Sequence, residues 1–110
     1  MGRQNSDKLQ GTLDLLILRS LVRGEMHGYG IASHIQRVSE DVLQVEEGSL
    51  YPALHRMEQE GWIRSEWKLS GSNRKAKFYG MTPAGKRELA EQERRWEALS
   101  RGVARVLKFA

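Results

Sequence analysis

From Lys8 the apolar positions fall at three- and four-residue intervals: Leu9, Leu13, Leu16, Ile17 and Leu21. That spacing is one face of an α-helix. Leu15, Leu18 and Val22 fill a second face, so the helix is expected to be covered from two sides, one of them by a partner subunit. Gly24 is its expected stop. A second helix opens in His27-Gly28-Tyr29-Gly30 and carries the stripe Ile31, Ile35, Val38. Its two glycines cost about 1 kcal/mol each against alanine if helical, which points to close approach of another backbone. An acidic connector follows, with Glu40, Asp41, Glu46 and Glu47. Ser49 is then expected to cap a third helix, with Pro52 in its first turn and Gly61 at its end. Leu50, Ala53, Leu54 and Met57 form the core side of that helix. Tyr51, Pro52, His55, Arg56 and Gln59 lie on the other side, a mixed and lightly charged face suited to contact.

The period then changes. Trp62 to Lys68 alternates, with Ile63 inward, Arg64 outward and Trp67 against the core. Lys77 to Met81 forms a second strand, and Ser70-Gly71-Ser72-Asn73 between them is a strong turn signal. The expected element is a β-hairpin with a long basic tip. Thr82-Pro83 reads as the cap and first residue of a last helix. There Leu89, Trp96 and Val103 stand seven apart, Leu99 and Val106 take the complementary positions, and Gln92 breaks the row. That is an a/d seam over about two and a half heptads, a surface for a second helix. The fold class is mainly α with a small β-hairpin (α+β). Residues 1–7 read as a frayed arm, 8–81 as a winged helix-turn-helix domain and 82–110 as a C-terminal dimerisation helix. One departure stands out: the connector between the second and third helices exceeds the short turn of the simple motif.

Composition narrows the chemistry. The chain has 110 residues, enough for one domain. It has no cysteine, which removes disulfides, thiolate zinc sites and a cysteine nucleophile together. His27, His34 and His55 are scattered, and no paired carboxylates or nucleophile arrangement accompanies them. Gly28 and Gly30 lack the preceding strand and third glycine of a dinucleotide loop. The reading is therefore not an enzyme, with no cofactor and no metal. The longest apolar run, Leu15 to Leu18, is far short of the ~18 residues of a membrane span, and the polar start lacks the centre of a signal peptide. A cytoplasmic protein without a membrane partner is expected.

Charge points to the partner. The net charge is +4. From Arg64 to Arg87 there are seven basic residues (Arg64, Lys68, Arg74, Lys75, Lys77, Lys86, Arg87) against the one acid Glu66, so this segment carries +6 and the remainder −2. Such a run is often only a solvated loop. Beside a helix sized for the major groove, it also suits phosphate neutralisation on double-stranded DNA. A protein-binding winged helix without specific DNA affinity is the alternative, and it has no need of this charge.

Several stretches together resemble the PadR-type transcriptional regulators. The likeness starts at Gly11-Thr12-Leu13 and continues at His27-Gly28-Tyr29-Gly30-Ile31. It is closest at Glu47-Gly48-Ser49-Leu50-Tyr51-Pro52-Ala53-Leu54 and at Arg56-Met57-Glu58-Gln59-Glu60-Gly61-Trp62-Ile63. It resumes from Arg74 through Gly85. Gly80 and Met81 stand where the family usually has arginine and leucine, and Gly80 is expected to loosen the second wing strand. The resemblance implies a dimeric DNA-binding regulator, most often a repressor, of the subfamily with a single C-terminal helix. It implies a roughly palindromic operator.

For DNA contact the residues expected are Tyr51, His55 and Arg56 on the third helix, Ser49 and Tyr29 near helix ends, and Arg74, Lys75 and Lys77 on the wing. For the tyrosines, packing with a surface hydroxyl is the competing role; for Arg56 it is an ion pair with Glu60. The expected dimer interface is Leu89, Trp96, Leu99, Val103 and Val106. In multidrug-sensing relatives a tryptophan at the place of Trp96 flanks a flat ligand, so the resemblance implies a small aromatic effector there. The competing role for Trp96 is to seal the dimer.

Overall fold

The computed structural model describes residues 12–71 and 73–109. Leu9, Gly11, Ser72 and the expected helix start at Lys8 lie outside the described residues. Helix α1 covers residues 12–20 and tightens into a 3-10 turn at Leu21–Arg23. Leu13, Ile17, Leu18 and Leu21 are buried. Leu15 and Leu16 are only partly covered by this chain and Val22 is exposed, but Leu18, expected on the second face, is buried in this chain's own core. Gly24, at φ 149°, ends the turn in a conformation that favours glycine.

Strand β1 (Met26–His27) leads into α2 (Gly28–Val38). His27 caps α2: its Nδ1 accepts from the Gly30 N–H at 2.9 Å. The close approach at Gly28 is by a side chain and not, as expected, by another backbone: a Cβ there would stand 2.8 Å from the Tyr51 ring. Ile31 and Ile35 face the core, whereas Val38 is exposed at the helix end. Helix α3 runs Glu47–Gln59, so it starts two residues before Ser49. The carbonyl of Glu46 accepts from the N–H groups of Ser49 and Leu50, and no side chain caps the start. Ser49 therefore sits inside the first turn and Pro52 beyond it. The carbonyl that loses its partner to the proline belongs to Gly48; both residues are exposed, where water can take that place.

The wing is β2 (Ile63–Leu69) and β3 (Lys75–Met81), antiparallel from Ile63↔Met81 to Leu69↔Lys75. β3 begins two residues earlier than the pattern suggests. It also pairs with β1, at Met26↔Tyr79 and His27↔Phe78, giving the order β1-β3-β2. A two-residue strand leaves too short an alternation to read from sequence. Gly80 does not loosen β3. It pairs with Arg64, whose guanidinium lies where a Cβ on Gly80 would project. Trp67 does not pack on the core: it is 65% exposed. It shares a sheet face with Ile63, but the hairpin has by then run past the body of the domain.

Helix α4 spans Pro83–Phe109. Thr82 Oγ1 accepts from the Gly85 N–H at 3.0 Å and donates to the Gly61 carbonyl at 2.6 Å, so the cap also fastens α4 to the end of α3. Gly85 packs against the backbone of Trp62, where a Cβ would come within 2.0 Å of the carbonyl oxygen. Leu89 is buried in this chain's own core. It is therefore not an open dimer-seam position, contrary to the seven-residue pattern: the first turns of α4 still lie on the body. Beyond it Trp96, Leu99, Val103 and Val106 are all exposed.

Candidate nucleic-acid interface

Four core residues of α3, Leu50, Ala53, Leu54 and Met57, fix which side of the helix faces out. That side presents Tyr51, Pro52, His55 and Gln59 to solvent. Ser49 is half-buried at the helix start. Between this face and the wing lies an open cleft of about 690 Å³ lined by His27, Tyr29, Tyr51, Trp67, Arg74, Lys75, Lys77 and Tyr79 among others. The cleft gathers five of the expected contact residues: Tyr29, Tyr51, Arg74, Lys75 and Lys77. Ser49, His55 and Arg56 do not line it, although His55 is exposed one turn along α3 from Tyr51.

The positive charge of the wing is unevenly available. Glu25, on the turn before β1, accepts from Arg64 at 2.7 Å and from Lys68. Lys68 first and Arg64 second hold the Glu25 carboxyl below its ordinary range. Lys77 Nζ is 3.8 Å from Glu58 and sits over the Tyr79 ring at 5.9 Å. Arg74 and Lys75 are exposed and form no ion pair with a described residue. The uncompensated charge is thus at the wing tip, beside the aromatic cleft. Trp67, like His27 and Tyr79, is a lining residue that sequence reasoning missed. Its alternation with Ile63 was the right signal for the face and the wrong one for the depth.

Arg56 is placed differently from expectation. Its guanidinium makes a two-pronged bond to Asp14, at 2.9 and 2.7 Å. The Asp14 side chain is 10% exposed. The hydrogen bonds that Arg56 donates to the Asp14 carboxylate raise the Arg56 pKa against the opposing cost of burial. The partner is Asp14 on α1, 42 positions away, and not Glu60 on the same helix.

On the opposite flank, α1 and α4 enclose a second cleft of about 490 Å³, lined by Thr12, Asp14, Leu15, Trp62, Glu88, Gln92, Arg95, Trp96 and Leu99. The buried Gln92 Oε1 accepts no hydrogen bond from a described residue, while its Nε2 donates to Glu88 at 2.8 Å. No helix among the described residues is long and apolar enough to cross a membrane.

Residues 17–91 match the transcriptional regulator PadR-like family. The chain belongs to this family. PadR-family members are DNA-binding transcriptional regulators, not enzymes. The transcriptional regulator Rv3488 of Mycobacterium tuberculosis is 37% identical over 89 residues, 81% of this chain and 79% of that one. A PadR family transcriptional regulator from Eggerthella lenta has a similar crystal structure: TM-score 0.78, 34% identity, covering 94% of this chain and 88% of its own. Bacillus subtilis PadR, in a structure with operator DNA, aligns at TM-score 0.66 and 30% identity over 73% of this chain and 45% of that one. The winged-helix body, the small sheet and the long last helix are thus the PadR architecture.

Proposed function

We propose that this PadR-family regulator is a homodimeric repressor that binds a near-palindromic operator sequence-specifically and is released by a small planar effector. The observation that carries the DNA reading is the open cleft between the wing and α3, with Arg74 and Lys75 uncompensated at its rim. In this reading α3 enters the major groove. Tyr51 and His55 face base edges, Tyr29 and Ser49 reach phosphates, and the wing takes the neighbouring backbone through Arg74, Lys75 and Lys77. The operator complex of the Bacillus subtilis relative supports it.

Residues 8–81 serve as the reading domain and 82–110 as the dimerisation helix. The exposed row Trp96, Leu99, Val103, Val106 supports pairing with a second copy. Two copies then present two α3 helices to successive grooves. Trp96, at the edge of the α1–α4 cleft, is the effector contact, and stacking on its ring suits a flat aromatic compound. Such a compound releases DNA only if it binds the DNA-incompetent dimer more tightly. A cytoplasmic location goes with this reading.

The test is selection of bound sequences from a random duplex library, followed by affinity for the winner at several salt concentrations. A two-fold-symmetric winner with a steep salt slope is the expected result. No enriched sequence would leave an effector-dependent binder or a winged-helix scaffold used for protein contact.

A further inference from the structure

The hydrophobic effect is non-directional, and ridges-into-grooves packing sets helix crossing angles only to within about 15–20°. α3 faces the body with Leu50, Ala53, Leu54 and Met57, an entirely apolar set. The Arg56–Asp14 bond is different in kind. It is directional, two-pronged and nearly dry on the Asp14 side, and it joins α3 to α1 across 42 positions. A planar guanidinium docked on a carboxylate through two parallel bonds tolerates little rotation. Arg56 is next to His55 and one residue past a full turn from Tyr51. Together with the 2.6 Å hydrogen bond that Ser65 of β2 donates to Glu58, the fork holds the roll of α3 about its axis and so the direction in which Tyr51 and His55 are presented. Functional groups need support to within about 10–20° to be read reliably.

We infer that Arg56 and Asp14 act as a positioning pair for sequence readout: Arg56 touches no base but locks α3 so that its exposed neighbours do. The inference rests on the proposal that α3 reads DNA. The Arg56 side chain is 36% exposed, and an ion pair open to solvent on one side contributes little stability by itself. Orientation is what the pair adds.

The experiment compares affinity for the selected operator with affinity for a random duplex of equal length, at fixed salt, together with the salt slope and the melting temperature. The variants are Asp14→Asn, Arg56→Lys, Arg56→Gln and the Asp14→Asn/Arg56→Gln double. Each single change is expected to lower the operator-to-random ratio about tenfold without changing the salt slope. The double is expected to match the singles, since one bond is lost in every case. Lysine keeps the charge but not the fork, so Arg56→Lys should fail like Arg56→Gln. A merely structural bond would lower the melting temperature and the active fraction while leaving the ratio intact. A direct base contact would be freed by Asp14→Asn, which would keep or raise the ratio. Either result overturns the inference. Should Asp14→Asn not fold, Asp14→Glu retains the charge and displaces the fork, and the same ratio decides. A parent that shows no operator preference removes the α3 reading itself, and the inference with it.

Discussion

Single atoms decide several features here. At Gly85 a methyl group would land 2.0 Å from the Trp62 carbonyl oxygen and 2.8 Å from Met81 Cγ. The first contact is with backbone, which cannot swing aside. Gly85→Ala is therefore expected to destabilise the chain by about 3 kcal/mol, read as a fall in the urea midpoint. Gly48→Ala, also in a helix but with open space around it, is the control and should raise stability by up to about 1 kcal/mol, read as a higher midpoint. Tyr79 gives a pH signature. Its phenol lies in the core, and burial first, then Glu58 and Tyr51, push its pKa up from the ordinary 10.0. The folded state thus favours the neutral phenol. Its contribution is complete below pH 10 and is lost as the pH climbs toward the higher folded value. Thermal midpoints measured from about pH 8 to about pH 11 should fall at the alkaline end, and Tyr79→Phe should flatten that fall.

At the scale of elements, periodicity made the helices legible, because a buried stripe repeats over several turns. α3 and α4 have the core sides that Leu50, Ala53, Leu54, Met57 and Leu89 dictate. Short or edge features were not legible. β1 has two residues, the start of α3 rests on the Glu46 backbone with no side-chain cap, and Trp67 lies past the reach of the core. The Asp14–Arg56 bond was invisible for another reason: no local spacing announces a contact between positions 42 apart. Only part of the site was readable in the same way. Basic residues could be counted along the chain, but which of them Glu25 and Glu58 neutralise depends on the fold. The α4 row carries an element-scale prediction. Leu99→Asp or Val103→Asp should yield monomers in sedimentation, since each places an acid in an otherwise apolar strip. Unchanged dimers in both variants would exclude this surface as the seam.

At the scale of the whole molecule, the two flanks differ in chemistry. The wing and α3 flank carries aromatic groups and free positive charge. The α1 and α4 flank carries an apolar row and a cleft. Charge on the first flank should act through phosphates and not through sequence. Lys75→Ala is expected to weaken operator and random duplexes equally and to reduce the salt slope by about one. Lys68→Ala, at a position already neutralised by Glu25, should change the slope far less. The three tryptophans fall one to each region: Trp62 beneath the root of α4, Trp67 in the wing cleft, Trp96 on the exposed row. The molecule is thereby supplied with its own optical probes. With two indoles replaced by phenylalanine, emission from Trp67 is expected to follow occupation of the wing cleft, and emission from Trp62 or Trp96, which share the α1–α4 cleft, to follow changes on that flank. Three such single-indole proteins would let dilution, titration and heating be followed in one cuvette without a label.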